Sequence, residues 1–355
     1  MAAPIFSPLT IRGVTLRSRI GVSPMCQYSS VDGHATPWHL VHLGSRAVGG
    51  AALVFTEATA VEASGRISPG DLGIYSDTHC EMLEAITNFV RGQGAVAGIQ
   101  LAHAGRKAST TRPWDGHRAA RRDEGGWDEV DAPSAIPFSD TYPAPRQLDH
   151  AGIARIVEAF RAAAERALAA GFEVAELHAA HGYLLHEFLS PLSNHRTDSY
   201  GGSFDNRIRI VCETVAAVRT VWPDTLPLML RVSATDWIDG GWTIDDTVEL
   251  ARRVGELGVD IVDCSSGGNT PTAQIPVRPG YQTPFAERVR REAGVMSAAV
   301  GLITDAAQAN EIVATGQADI VLLARQLLRD PYWPLHAAKE LGVEVDWPVQ
   351  YERAR

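Results

Sequence analysis

Short, nearly continuous apolar runs recur eight times along this 355-residue chain, separated by longer segments of helical period. Runs of that kind suit strands buried on both faces. Their alternation with amphipathic helices is the pattern of consecutive βα units on a parallel sheet. The predicted strands are Ile20–Met25, Ala52–Ala58, Val96–His103, Val174–Ala180, Leu226–Ala234, Asp260–Ser265, Ser297–Ile303 and Asp319–Arg325. Predicted helices include Asp149–Ala170, Ile208–Val221, Ile244–Leu257 and Thr304–Thr315. Gly171, Gly258 and Gly316 follow three of them as stop signals, so Ala170-Gly-Phe-Glu-Val174 and its two counterparts read as helix end, tight turn and next strand. Eight such units predict one α/β domain over residues 1–355, a closed (β/α)8 TIM barrel. A doubly wound sheet is the rival, but no GxGxxG follows the first strand and no GxxxxGK[ST] occurs.

The opening segment Phe6–Arg19, turning at Gly13, is expected to form a hairpin that plugs the N-terminal end of the barrel. Residues 104–148 are rich in Pro, Gly, Asp and Arg and make the longest connection, which is expected to act as a lid. A net charge of −10 disfavours nucleic acid and anionic membrane surfaces as partners. The basic run Arg118–Arg122 is cancelled by Asp123, Glu124, Asp128 and Glu129. The start at Met1 carries no leader pattern, and no apolar run approaches the roughly 18 residues of a membrane span. Cys26, Cys80, Cys212 and Cys264 are scattered without CxxC spacing, which suits a reducing cytoplasm rather than a disulfide framework or zinc ribbon.

In barrels of this type, chemistry collects where the strands end. Here those ends are polar: Ser23-Pro-Met-Cys-Gln-Tyr28, Gln100-Leu-Ala-His103, His178-Ala-Ala-His-Gly-Tyr183, Arg231 and Arg325. Any one of them could be a hydrogen-bonded rim residue, but five strands contributing together imply one site. His178 and His181, with Glu176 two residues before, leave open a metal-dependent hydrolase, although no HxH follows the first strand and His186-Glu187 does not continue as HExxH. The segments Val300-Gly-Leu-Ile-Thr-Asp305 and Leu323-Ala-Arg-Gln326 suit a phosphate site: Gly301 lets the backbone approach, Thr304 or Asp305 caps the next helix, and Arg325 adds positive charge. A phosphate anchor together with donors from strands three to five suits a phosphorylated planar cofactor.

Three stretches carry a family likeness: Ser23–Tyr28, Gly98-Ile-Gln-Leu-Ala-His-Ala-Gly-Arg106, and the long run from Glu176 through His178, His181 and Tyr183 to Tyr200-Gly-Gly-Ser203. Through them the chain resembles the Old Yellow Enzyme family of FMN-dependent ene-reductases, specifically its thermophilic-like subgroup of xenobiotic reductases. The resemblance implies that Ser23, Pro24, Met25, Cys26, Ala58, Gln100, Arg231, Gly301, Ala324 and Arg325 hold FMN, with NADPH or NADH as reductant. It implies that His178 and His181 bind the carbonyl or nitro oxygen of an activated alkene, that Tyr183 delivers the proton, and that Tyr28 touches the substrate. It also implies at least a homodimer, in which Arg353 of the tail 342–355, within Gln350-Tyr-Glu-Arg353, reaches a neighbouring subunit's site. No metal is expected on this reading. A colourless metal enzyme and a non-catalytic FMN redox sensor built on Cys26 are the competing functions. Two departures from the family stand out: Ala324 replaces a usual glycine, and Thr110–Val130, with Trp114 and Trp127, lengthens the lid.

Overall fold

The computed structural model describes residues 3–355; Met1 and Ala2 lie outside the described residues. Eight parallel strands close into a barrel in chain order: β1 (Ile20–Val22), β2 (Leu53–Ala60), β3 (Val96–Ala102), β4 (Val174–Ala179), β5 (Leu228–Ser233), β6 (Ile261–Ser265), β7 (Met296–Val300) and β8 (Ile320–Leu323). β8 pairs with β1, and β5 with β6, which closes the ring. Helices packed outside it include α1 (Pro37–Val48), α2 (Cys80–Gly92), α3 (His150–Ala169), α4 (Phe204–Arg219), α5 (Ile244–Glu256), α6 (Thr283–Arg288) and α7 (Ala306–Ala314). The architecture is the expected (β/α)8 barrel.

Local chemistry explains the ends. Asp149 caps α3 by accepting a hydrogen bond from the Gly152 N–H at 2.7 Å, and Ile153, Ile156, Phe160, Ala163 and Ala167 form its buried stripe. Gly171, Gly258 and Gly316 adopt φ of +83°, +101° and +72° just past their helices, as stop signals should. α4 begins four residues earlier than expected because Ser203 accepts from the Asn206 N–H and caps it there. At α7 it is Asp305, not Thr304, that caps, accepting from Gln308 N–H at 2.7 Å.

Several strands are shorter than their apolar runs. β1 stops at Val22, just before Pro24, which has no N–H for a ladder. β7 stops at Val300 because Gly301 and Leu302 take φ of +117° and +50°. β8 stops at Leu323, and Arg325 opens a one-turn helix instead of closing a strand. β2 starts one residue later and ends two residues later than expected and carries a bulge: its register to β3 advances from Phe55↔Gly98 to Ala58↔Gln100. That extra residue changes which side chains face inward above it.

The hairpin forms at Leu9–Ile11 and Val14–Leu16. Arg12, not Gly13, holds the left-handed conformation, at φ +52°. Gly13 is needed for close approach, since a Cβ there would lie 2.9 Å from the Thr225 carbonyl oxygen. Ile11, Val14 and Leu16 pack into one cluster with Leu53, Phe55, Val96, Met229, Ile261 and Leu322, so the hairpin fills the barrel floor as expected. Within the long connection, Arg118 pairs with Glu124 at 2.8 Å and Arg121 with Asp123 at 3.0 Å, a solvated run of balanced charge.

Candidate active site

At the C-terminal ends of the strands, β1 and β8 are tied by Ser23 N–H donating to the Leu323 carbonyl at 2.9 Å. Past the bulge, the inward residues of β2 are small. Ala58 and Ala60 line a narrow recess, of about 10 Å³, with Gly65, Asp71, Ala102, Ala104 and Tyr183. Cys26 and Tyr183 pack against the same small apolar cluster, Ile67, Ala104, Ala108 and Val130. Burial, then the nearby Asp71 and Glu57 carboxyls, push the Cys26 thiol well up, so it is held protonated. The same surroundings raise the Tyr28 phenol. Glu57 accepts from the Gln27 N–H and meets His39 Nε2 at 3.0 Å, anchoring the loop after β1 from below.

Beyond β4 the chain turns sharply, with His181 at φ +59° and Gly182 at φ +70°. His178 Nδ1 accepts from the Ala180 N–H at 3.2 Å, which leaves the proton of this neutral ring on Nε2. That Nε2 faces His181 Nδ1 at 3.3 Å, and His181 Nε2 meets Ser265 Oγ at 2.7 Å. Burial, then the charge of Arg231, hold both imidazoles well below their ordinary pKa, so both are neutral at pH 7. The Tyr183 ring stands edge-on to His178, centroids 5.1 Å apart. Burial keeps its phenol protonated well beyond the usual range.

Lys107 holds this turn. Its Nζ donates to the His181 carbonyl at 2.7 Å and to the Gly268 carbonyl, and lies 5.6 Å from the Tyr183 ring centre. Burial, then repulsion from Arg106, bring its pKa down to about 7. The turns after β4 and β6 touch back to back: a Cβ on Gly268 would lie 2.7 Å from His181 Cα.

Inside the barrel, Gln100 Nε2 donates to Glu176 Oε1 at 2.7 Å, and Arg231 Nε lies 3.0 Å from Asp263 Oδ2. Glu176 is thus turned to Gln100 and not joined to the two histidines as a ligand. Among the described residues, no three His, Cys, Asp or Glu side chains converge on a metal position. At the rim of β7 and β8, Gly301 faces Gln282, whose Nε2 would lie 2.6 Å from an added Cβ, and Arg325 is exposed beside the partly buried Ala324. Trp114 of the long connection stands edge-on to Tyr28 at 5.5 Å, and Trp127 donates to the Ser64 carbonyl at 3.1 Å.

The structure therefore gathers Ser23–Cys26, Tyr28, Ala58, Gln100, His178, His181, Tyr183, Arg231, Gly301, Ala324 and Arg325 at one end of the barrel. Arg353 is not among them. It lies in an exposed turn whose neighbours Val349 and Gln350 border a hollow with Arg17, Val48 and Gly92, where α1 ends opposite the mouth. Lys107, Ser265, Asp71 and Asp263 were not singled out from sequence. Ser265 had a usable signal, since it closes a predicted strand.

Does a flavin fit? Among the described residues, Ser23 Oγ and Glu176 Oε2 are buried without hydrogen-bond partners, and Arg231 Nε and Asp263 Oδ2, though an ion pair at 3.0 Å, are not aligned for a hydrogen bond. A planar ring edged with alternating N–H and C=O groups supplies partners of both kinds. Small alanines beside a polar, partly unsatisfied barrel mouth are compatible with a flavin-binding barrel oxidoreductase.

The chain belongs to the NADH:flavin oxidoreductase / NADH oxidase family, whose model matches residues 4–344, and within it to the Old Yellow Enzymes. It is 51% identical over 355 residues to an NADPH dehydrogenase of Geobacillus sp. (strain WCH70), covering 99% of both chains. Morphinone reductase, solved in complex with tetrahydroNAD, superposes with a TM-score of 0.79 at 25% identity, over 97% of this chain and 92% of that one. A 2-naphthoyl-CoA reductase complex gives a TM-score of 0.86 at 25% identity; this chain covers 53% of it, about half its length. The protein is an FMN-dependent oxidoreductase that uses NAD(P)H.

Proposed function

We propose that the protein is an ene-reductase that reduces the C=C bond of α,β-unsaturated carbonyl or nitro compounds. The observation that carries this reading is the convergence of His178 Nε2, His181 Nδ1 and the Tyr183 ring on one small space. Two neutral imidazoles can hold one substrate oxygen, where negative charge grows as the β-carbon is reduced. Because both stay neutral, they stabilise that oxygen by N–H donation. Tyr183 holds its proton at pH 7 and gives it to the α-carbon, after which solvent restores it. Tyr28 borders the same space and would orient the alkene. Ser23–Cys26, Ala58, Gln100 and Arg231 would hold the flavin ring, with Gly301, Ala324 and Arg325 at its phosphate. FMN held there would supply the hydride-carrying chemistry between NAD(P)H and the alkene.

The segment 104–148 would cover the mouth, with Trp114 against Tyr28. The whole chain would act as one domain, and Arg353 would complete the site of a second copy in a dimer. The four cysteines are free thiols, which supports a cytoplasmic setting. No helix among the described residues is long and apolar enough to cross a membrane.

The deciding experiment is a visible spectrum of the purified protein, then anaerobic titration with NADPH followed by cyclohexenone. Bleaching of a flavin band by NADPH and its return with the enone is the expected result. A band that NADPH bleaches but no activated alkene restores would overturn the substrate assignment, and an unreducible band would favour a sensor.

A further inference from the structure

One layer below the mouth, three charged side chains face one another inside the barrel. Gln100 on β3 stands opposite Glu176 on β4, and Arg231 on β5 stands between His178 on β4 and Asp263 on β6. Glu176 and Asp263 are both fully buried, at 0% exposure. Arg231 Nε lies 3.0 Å from Asp263 Oδ2, an ion pair out of line for a hydrogen bond, whereas Glu176 has only the neutral Gln100 amide beside it. Glu176 Oε2 has no hydrogen-bond partner among the described residues.

Two carboxylates and one guanidinium in one buried layer would leave a net negative charge without compensation, which is costly to bury. The group that keeps a proton is the one further from the cation in bonding terms, Glu176. Burial, then repulsion from Asp263, push Glu176 up, against the pull of Arg231 and the Gln100 hydrogen bond. Asp263 is also raised by burial, with Arg231 opposing. The charged or titratable groups facing Glu176 from β5 and β6 are therefore Arg231 and Asp263. β3 contributes only an amide, and His178, on Glu176's own strand, is held neutral.

We propose that Glu176 is a charge-compensating group: above the pH at which it loses its proton in the oxidised enzyme, it takes one up when the flavin beside this layer is reduced and releases it on reoxidation. Hydride transfer from NADPH moves two electrons and one proton to the cofactor and adds one negative charge above this layer. That charge favours the protonated form of Glu176, so a proton is drawn from solvent; loss of hydride to any acceptor returns it. No group beyond NADPH and water is needed for the balance. The proposal rests on reduction of FMN by NADPH and not on the alkene, so failure of ene-reduction would leave it standing.

The test is proton uptake by the FMN-loaded enzyme during anaerobic reduction with stoichiometric NADPH, followed with a pH indicator in weakly buffered solution between about pH 6 and 10. Hydride transfer alone takes no proton from solvent. The native enzyme is expected to take up a substantial fraction of one proton per flavin within a limited pH window, and Glu176→Gln none. Asp263→Asn, which removes the repulsion, is expected to move that window to lower pH, and it carries the test if Glu176→Gln fails to hold FMN. Full bleaching of native enzyme without uptake, or uptake unchanged in both variants, would overturn the proposal.

Discussion

Ser265 Oγ on β6 lies 2.7 Å from Nε2 of His181, on the far side of that ring from His178. A hydroxyl can both give and accept a proton. It can therefore serve His181 in either tautomer: accepting while Nδ1 is bare toward His178, or donating when Nδ1 must carry a proton toward a substrate oxygen. Gln282 does not compete strongly for the Ser265 proton, because its Oε1 already accepts from Ser266 at 2.6 Å.

Ser265→Ala should therefore weaken binding of an oxyanion ligand such as a phenolate by about tenfold, the worth of one well-placed hydrogen bond. Spectral titration of the flavin band with 4-hydroxybenzaldehyde measures it. Unchanged affinity would mean that Ser265 does not govern the His181 tautomer.

Tyr183→Phe should slow alkene reduction by roughly 10²–10⁴-fold, the usual contribution of a positioned acid, while leaving NADPH oxidation near native. Stopped-flow measurement of the two half-reactions separates them. An equal loss in both would place Tyr183 outside proton delivery.

Lys107→Met would leave the His181 and Gly268 carbonyls without their shared donor, at about 1–3 kcal/mol for each buried acceptor left unpaired. The expected result is a raised KM for the alkene, with FMN still bound and NADPH oxidation little changed. A lowered kcat with KM unaffected would argue that the amine acts on chemistry instead of on the turn.

Glu187 gives a pH prediction. Burial raises its carboxyl from the ordinary 4.5 to about 8, against the opposing pull of Arg106 and Lys107. Between those values the folded chain keeps a proton that the unfolded chain has released, so stability falls as pH rises through this window and levels off above it. The slope from this one group approaches about 1.4 kcal/mol per pH unit. Glu187→Gln keeps an oxygen to accept the Arg106 N–H, now bonded at 2.8 Å, and should flatten the decline in urea midpoint from pH 5 to 9. Parallel profiles for the two proteins would refute it.

Much of this was legible in the amino-acid order, for reasons particular residues make plain. Strands buried on both faces must be apolar, so all eight could be found, and glycines such as Gly171 mark where helices stop. The ends of the strands were harder, because hydropathy continues where the ladder cannot: Pro24 lacks the N–H, and Gly301 turns the chain away. The two histidines and Tyr183 were visible as polar residues closing a strand. Lys107 was not, since its importance comes from two backbone carbonyls on separate turns that only the fold brings together. Asp263 was hidden inside an apolar run, and nothing short of the register opposite Arg231 reveals its partner.

The hairpin on the barrel floor has a bearing on kinetics. With Ile11, Val14 and Leu16 sealing one end, whatever reaches the inner residues enters from the other. If donor and acceptor share the space beside His178 and His181, as proposed, each has to leave before the other arrives. Turnover would then be a queue, in which an excess of either visitor obstructs the next.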